Sequence, residues 1–212
     1  MNFGKLFDMD NPVWKWLGRI WDAIWITILW LVCSLPVVTI GAASTAASYV
    51  ALKIMKDEEG KVTKQFFHSF KQNFKQATLI WLGALLLTIV LAVNFWFYYQ
   101  LNNTFSKVFM IVLIVISVVF AMAMHYIFPV LAKFDNSTKN LCIIAFVMAL
   151  KNVNWTVFMV VATLCVFVVG IYVFAPLLVC SIGLLALLDA WILHHFFDKY
   201  IEENQLVENQ SE

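Results

Sequence analysis

The sequence predicts an all-α, polytopic transmembrane helical bundle, with five to six apolar helices plus a cytoplasmic amphipathic helix, in a single membrane domain over 1–212. Composition is the first observation, because 63% of the residues are hydrophobic and only 13% charged, against about 25% charged in an average soluble domain. The second is that four uncharged stretches each exceed the roughly 20 residues that cross a membrane. They are residues 23–52, 76–106, 108–132 and 152–188.

The first apolar stretch is predicted to be a broken pair of helices over residues 20–56. A continuous helix over 23–52 would be about 45 Å long, which exceeds the roughly 30 Å of hydrocarbon in a bilayer. Pro36 has no backbone N–H to donate, so we expect the helix to break near it. Small residues follow the break and allow helices to approach closely in lipid. They include Gly41, Ala42 and Ala43, which we interpret as packing residues.

The number of times that this pair crosses the membrane is left open. Lys and Arg favour the cytoplasmic side of membrane proteins. With two crossings, 13 of the 14 Lys and Arg residues are cytoplasmic and only Lys107 is outside; with one crossing, the ratio is 10 to 4. Two crossings, which place the N-terminus inside, fit the rule better.

The segment 57–76 is predicted to be an amphipathic helix on the cytoplasmic face. Its phenylalanines recur at helical spacing and its lysines alternate with them. The set consists of Lys64, Phe66, Phe67, Phe70, Lys71, Phe74 and Lys75. Contact with anionic lipid is one interpretation, and contact with a cytoplasmic partner is the other.

The remaining elements are predicted from hydropathy. Transmembrane helices are expected at 77–101, 108–132, 154–174 and 177–197, after an N-terminal interfacial segment at 1–19. A polar tail at 201–212 is acidic enough to be disordered. A weak echo of Phe66 and Phe70, 80 residues further on, suggests a second amphipathic segment around Phe146 and Leu150.

Two ionisable residues inside the predicted spans are candidates for a functional site, because charge is costly in the membrane. His125 lies seven residues before the end of span 108–132, and Asp189 lies eight before the end of span 177–197. Both spans run in the same direction, so the side chains should lie at similar depth. We therefore predict an intramembrane polar pair, which either locks two helices together or serves a proton or ligand.

Several classes of function are disfavoured. The net charge of +1 provides no basic field for nucleic acid. The sequence contains no phosphate-binding loop, dinucleotide-binding motif, zinc-protease motif or serine-nucleophile elbow. The four cysteines lack metal-ligand spacing, and His194 and His195 are adjacent and point in different directions. We expect no enzymatic activity, no cofactor and no metal site.

Three segments resemble the YesL family of bacterial integral membrane proteins, grouped as domain of unknown function 624. They are residues 7–14 (FDMDNPVW), 34–45 (SLPVVTIGAAST) and 66–78 (FFHSFKQNFKQAT). The resemblance implies a multi-pass protein of the cytoplasmic membrane of Gram-positive bacteria. It also implies a genomic context of ABC-type carbohydrate importers, and it assigns no catalytic residues.

Two functions are therefore kept open. The first is an integral membrane accessory protein that assists or regulates an ABC-type carbohydrate transporter. It would bind a permease or sensor subunit through the small-residue helix 41–48 and the amphipathic segment. The alternative is a small membrane carrier or channel acting by itself, as a homodimer if it needs one, with His125 and Asp189 near its path.

Overall fold

In the computed structural model the described residues form seven α-helices and no strand, so the all-α prediction is confirmed. The structure describes residues 12–58, 60–101, 103–172 and 176–211, and the side chains of these ranges except 12–16, 176–180, 199 and 201–211. The helices are α1 Pro12–Cys33, α2 Ile40–Met55, α3 Val62–Leu101, α4 Thr104–Lys133, α5 Thr138–Lys151, α6 Val153–Tyr172 and α7 Pro176–Ser211. Most of the predicted segment 1–19 lies outside the described residues.

Five stretches of the described chain are long and apolar enough to cross a membrane. They are Val37–Met55, Val62–Leu101, Thr104–Lys133, Val153–Tyr172 and Ser181–Asp198. The chain is thus a multi-pass membrane protein.

The helices α1 and α2 form an antiparallel hairpin. They are separated by one 3-10 turn, Val37–Thr39, which Pro36 precedes. The Trp30 indole donates a hydrogen bond to the Ser44 hydroxyl at 3.0 Å, and Arg19 lies 3.4 Å from Asp57 just beyond the end of α2. The beginning of α1 therefore lies beside the end of α2, because the chain turns back on itself near Pro36.

The small residues of α2 pack within the chain. Gly41, Ala42 and Ala43 are buried, and no residue from 41 to 52 is exposed. A β-carbon at Gly41 would lie 2.6 Å from the carbonyl oxygen of Ala77 in α3. Contacts inside the molecule cover this face of α2. It is therefore not available as the partner surface that the sequence suggested.

The predicted amphipathic segment and the next span form one continuous helix, α3, of 40 residues. Its first half runs antiparallel to α2, with the Tyr49 and His68 rings 6.5 Å apart near one end. Phe66 is fully buried by this packing. The prediction that Phe66 contacts lipid or a partner is therefore wrong, because α2 covers that face of the helix.

The helices α3 and α4 form a second antiparallel hairpin. Tyr98 stacks on Phe109 at 5.2 Å near the connection, where Asn103 and Ser106 form a capping box at the start of α4. At the other end the Gln76 side chain donates to the Asn136 carbonyl at 2.9 Å. We call this second end the basic end, because Lys56, Lys133 and Asp198 meet there.

The helix α5 follows at the basic end and is not among the spans predicted from hydropathy. Phe146 and Leu150 are exposed on α5, whereas Phe66, the counterpart of Phe146 in α3, is buried. The two similar sequence segments therefore do not pack in the same way. In α6, the Thr156 hydroxyl lies 2.9 Å from the Tyr126 hydroxyl of α4. The last helix, α7, continues to Ser211, so the backbone of the predicted disordered tail is helical up to that residue.

Candidate functional site: a cavity where five helices meet

The structure brings His125 and Asp189 together. The ring Nδ1 of His125 in α4 lies 3.5 Å from Oδ2 of Asp189 in α7, and the two side chains are only 18% and 16% exposed. This separation is longer than an ordinary hydrogen bond. The contact therefore orients the carboxylate without fully satisfying it.

The other carboxylate oxygen of Asp189 lacks a partner. Oδ1 is buried and makes no hydrogen bond with any described residue. A buried polar atom without a partner costs free energy, and a charged one costs more. Such an atom in a membrane protein marks a place where a proton, a water molecule or a ligand completes the structure.

Asp189 lines a cavity of about 220 Å³ to which five helices contribute. The volume exceeds what one water molecule needs. The polar residues around it come from α1, α2, α4, α6 and α7, and they are Trp30, Ser44, Ser48, His125, Thr163 and Asp189. The rest of the lining is apolar, so these polar side chains form one cluster on the wall of the cavity.

Two further oxygen atoms of this region lack their usual partners. The Thr163 hydroxyl oxygen is buried and makes no hydrogen bond with a described residue. Pro129 also lines the cavity and stands four residues after His125 within α4. Because proline has no N–H, it cannot form the helical hydrogen bond to the carbonyl of His125. The helix α4 is therefore open at the residue that carries the imidazole.

A larger groove of about 880 Å³ runs between α3 and α4 and reaches the same histidine. Its lining includes Thr88, Trp96 and Tyr99 of α3 and Ser117 of α4. Met124 and His125 line both the groove and the central cavity. These two side chains thus separate the cavity from a depression that extends toward the Leu101 end of the hairpin.

The basic end holds a third cavity, of about 190 Å³, among charged residues. Lys56 donates a hydrogen bond to Asp198 at 3.0 Å, and this bond raises the pKa of the Lys56 ammonium above its ordinary value. Lys53 lies 3.1 Å from Glu58. This cavity shares no lining residue with the central one, and the buried side chains of Val130 and Leu193 belong to the core nearby.

The first half of α3 keeps one exposed face opposite the face held by α2. Its members are Lys64, Phe67, Lys71, Phe74 and Lys75, which we call the basic stripe. An open groove of about 520 Å³ follows it past Lys61 and His68. Of the other phenylalanines predicted for this surface, Phe66 is buried and Phe70 is half-buried. The position of the stripe is fixed by the other face of the same helix, where Phe66, Ser69 and Asn73 are buried.

The sequence drew attention to the ionisable pair and missed the hydroxyl residues. Ser44, Ser48 and Thr163 face the cavity but carry no charge, and single hydroxyl groups are common in membrane helices. A signal was present in the spacing of His125 and Pro129, since proline at the fourth position always removes the helical donor. No group of three or more His, Cys, Asp or Glu comes together within the described part of the chain.

These features define the class of this protein, which is a helical, multi-pass membrane protein with a cavity among its helices that His125 and Asp189 line. The first part of the chain is similar to a known family. Residues 23–95 carry a domain of the family described as "Protein of unknown function, DUF624". The resemblance seen at 34–45 and 66–78 is thus confirmed; the match extends from α1 into α3, and His125 and Asp189 lie outside it. No curated protein and no solved structure matched the chain.

Proposed function

We propose that this chain is a non-enzymatic accessory protein of the cytoplasmic membrane, which docks on a transporter or sensor subunit through the basic stripe. The observation that carries the proposal is that the two faces of the first half of α3 differ. One face is buried against α2, and the opposite face presents three lysines and two phenylalanines. Aromatic side chains supply contact area in protein interfaces, and charges select the partner.

The kind of partner follows from the family context. The resemblance to the YesL family implies proximity to ABC-type carbohydrate importers, so the expected partner is a permease or sensor subunit of such a system. This expectation is one of association, because fold and family alone do not define a mechanism. Because the basic stripe combines lysines with phenylalanines, we expect the complementary surface of the partner to be acidic and partly apolar.

Affinity purification of the C-terminally tagged chain from host membranes, in mild detergent, tests the proposal. The triple variant Lys64→Glu, Lys71→Glu, Lys75→Glu should lose co-purifying permease or sensor subunits, whereas the charge-conserving Lys→Arg triple variant should keep them. Lys139→Glu, which reverses an exposed lysine at the start of α5, controls for a charge reversal outside the stripe and should keep the partners. Recovery of the chain without a partner, or equal recovery of partners by the Glu and Arg variants, would refute the docking role.

A second candidate function is favoured by a different observation. The central cavity and the α3–α4 groove share Met124 and His125, as expected if a path runs through the bundle of a carrier or channel. We propose on this basis that the chain could transport a small solute by itself or as a homodimer. The docking proposal does not require such a path.

Reconstitution separates the two candidates. Purified protein in liposomes should show flux of protons, of Na⁺ or of a labelled disaccharide, and Asp189→Asn should abolish it with folding intact. Reversal of the stripe lysines should leave this flux unchanged. Absence of flux for all three probes would reject the carrier and leave the docking proposal standing.

A further inference from the structure

The oxygen atoms around the central cavity form an unusual set for a membrane interior. Asp189 contributes a carboxylate with one oxygen unpartnered, and Thr163 contributes a hydroxyl oxygen that is also unpartnered among the described residues. The side chains of Ser44 and Ser48 line the same space. The carbonyl of His125 lacks its helical donor because of Pro129. These groups come from four different helices.

We propose that this cavity binds a small monovalent cation, with Asp189 as its anionic ligand. Carboxylate, hydroxyl and carbonyl oxygens are the donors that hard cations and ammonium groups prefer. Interrupted helices in membrane proteins place freed carbonyls at cation sites in the same way. The cation site is independent of docking through the basic stripe. It supplies a ligand class for the carrier candidate, and only a role of the site in transport rests on that candidate.

The charge of the lining residues favours a monovalent cation over a divalent cation or an anion. Among the described residues that line the cavity, Asp189 is the only carboxylate, whereas divalent ions are usually held by several carboxylates. An anion would meet the carboxylate directly and would be repelled. Nδ1 of His125 lies near Oδ2, and Oδ1 makes no hydrogen bond with a described residue, so the imidazole can orient the carboxylate while a cation contacts Oδ1.

The size of the cavity leaves two sources for the cation. A volume of about 220 Å³ accommodates an alkali ion together with water, or a small primary ammonium group. Both satisfy the same oxygen atoms. The competing occupant is a proton on Asp189, which would neutralise the carboxylate without any further ligand.

Thermal unfolding of the full-length protein in detergent tests the inference. Chloride salts of Na⁺, K⁺ and methylammonium are titrated at constant ionic strength against N-methylglucamine, a bulky organic cation that carries no primary ammonium group. A ligand that binds only the folded state raises the unfolding midpoint in a saturable manner. We expect a rise of several degrees with at least one of the three, Na⁺ or K⁺ indicating an inorganic ion and methylammonium indicating an ammonium ligand.

Variants locate the effect. Asp189→Asn should abolish the cation-dependent rise, and Thr163→Val, which replaces one hydroxyl by a methyl group, should weaken the apparent affinity about tenfold, the loss expected when one charge-assisted contact is removed. Asp198→Asn, a carboxylate at the basic end, should retain the rise in full. If Asp189→Asn does not fold, the Thr163→Val titration still tests the site.

The inference fails if no cation shifts the midpoint relative to N-methylglucamine, which would indicate a protonated Asp189. It fails equally if Asp189→Asn or Thr163→Val responds as the unaltered protein does. Cation binding without flux in liposomes would refute the carrier candidate and leave the site in place. Loss of co-purifying partners bears only on the docking proposal.

Discussion

Gly183 of α7 lies directly against the backbone of Ala23 of α1. A β-carbon at position 183 would overlap the carbonyl group of Ala23, and the Gly183 amide donates to the Thr27 hydroxyl at 2.8 Å. Small residues allow helices in membranes to approach in this way. The bond ties two helices that are 156 positions apart along the chain.

Replacement of Gly183 by alanine should therefore destabilise the protein. The added methyl group meets backbone atoms, which cannot rotate away, so α1 and α7 must separate and lose packing as well as the bond to Thr27. Overpacking of this kind costs about 1–3 kcal/mol. Gly83→Ala in α3 is the matched control, because nothing lies within 4 Å of a β-carbon there, and unfolding in a mixed-detergent titration is the measurement. Equal stability of the two variants would contradict the close approach.

Gly41 provides a test of the α2–α3 contact. Its added β-carbon would lie 2.6 Å from both the Ala77 carbonyl oxygen and the Trp81 β-carbon. The resulting shift of α2 should also strain the hydrogen bond from the Trp81 indole to the Val37 carbonyl, 2.8 Å in length. We expect Gly41→Ala to lower stability by about 1–3 kcal/mol and to alter Trp81 fluorescence. The contribution of Trp81 to the fluorescence is obtained by comparison with the double variant Gly41→Ala, Trp81→Phe. An unchanged Trp81 contribution would argue against the shift of α2.

The contact between His125 and Asp189 predicts a coupled loss of stability. Removal of His125 takes away the polar group that lies beside the buried carboxylate of Asp189, which costs about 1–3 kcal/mol. In N-methylglucamine buffer we expect His125→Ala to show such a cost, Asp189→Asn to cost less, and the double variant to cost less than the sum. A double-mutant cycle measures the difference. Strict additivity would show that the two side chains do not interact.

The pair of Lys56 and Asp198 predicts a weak, pH-dependent contribution at the basic end. Their side chains are 30% and 52% exposed, so the coupling should be about 0–1 kcal/mol. Because the hydrogen bond raises the pKa of Lys56 above its ordinary 10.5, folding favours the protonated amine. The contribution is complete below the unfolded pKa and is lost as the pH rises through the higher folded pKa.

A double-mutant cycle with Lys56→Met and Asp198→Asn at pH 8 and again above the pKa of lysine measures this dependence. The coupling should be present at pH 8 and absent at the higher pH. An equal coupling at both values would mean that the two groups do not form an ion pair. Lys139→Met, which alters an exposed lysine at the start of α5, controls for the general effect of removing a positive charge.

Hydropathy and single residues determined much of this protein from the sequence alone. The all-α class and the membrane location follow from long uncharged stretches, because the thickness of the bilayer sets a minimum length for each span. Pro36 marked the turn between α1 and α2, and the cost of charge in lipid singled out His125 and Asp189. These are local properties, so a single sequence contains them.

Only the tertiary structure decided which faces of the helices are free. Phe66 and Phe67 are adjacent and equally apolar, yet α2 buries the first while the second is exposed. The small residues of α2 suited a partner as well as they suit α3, and Ser44, Ser48 and Thr163 gave no sign that they meet around one cavity. In a membrane, apolar side chains face lipid and protein alike, so hydrophobic patterning cannot tell a buried face from an exposed one. Packing between distant segments decides which helices touch, and therefore where the central cavity lies.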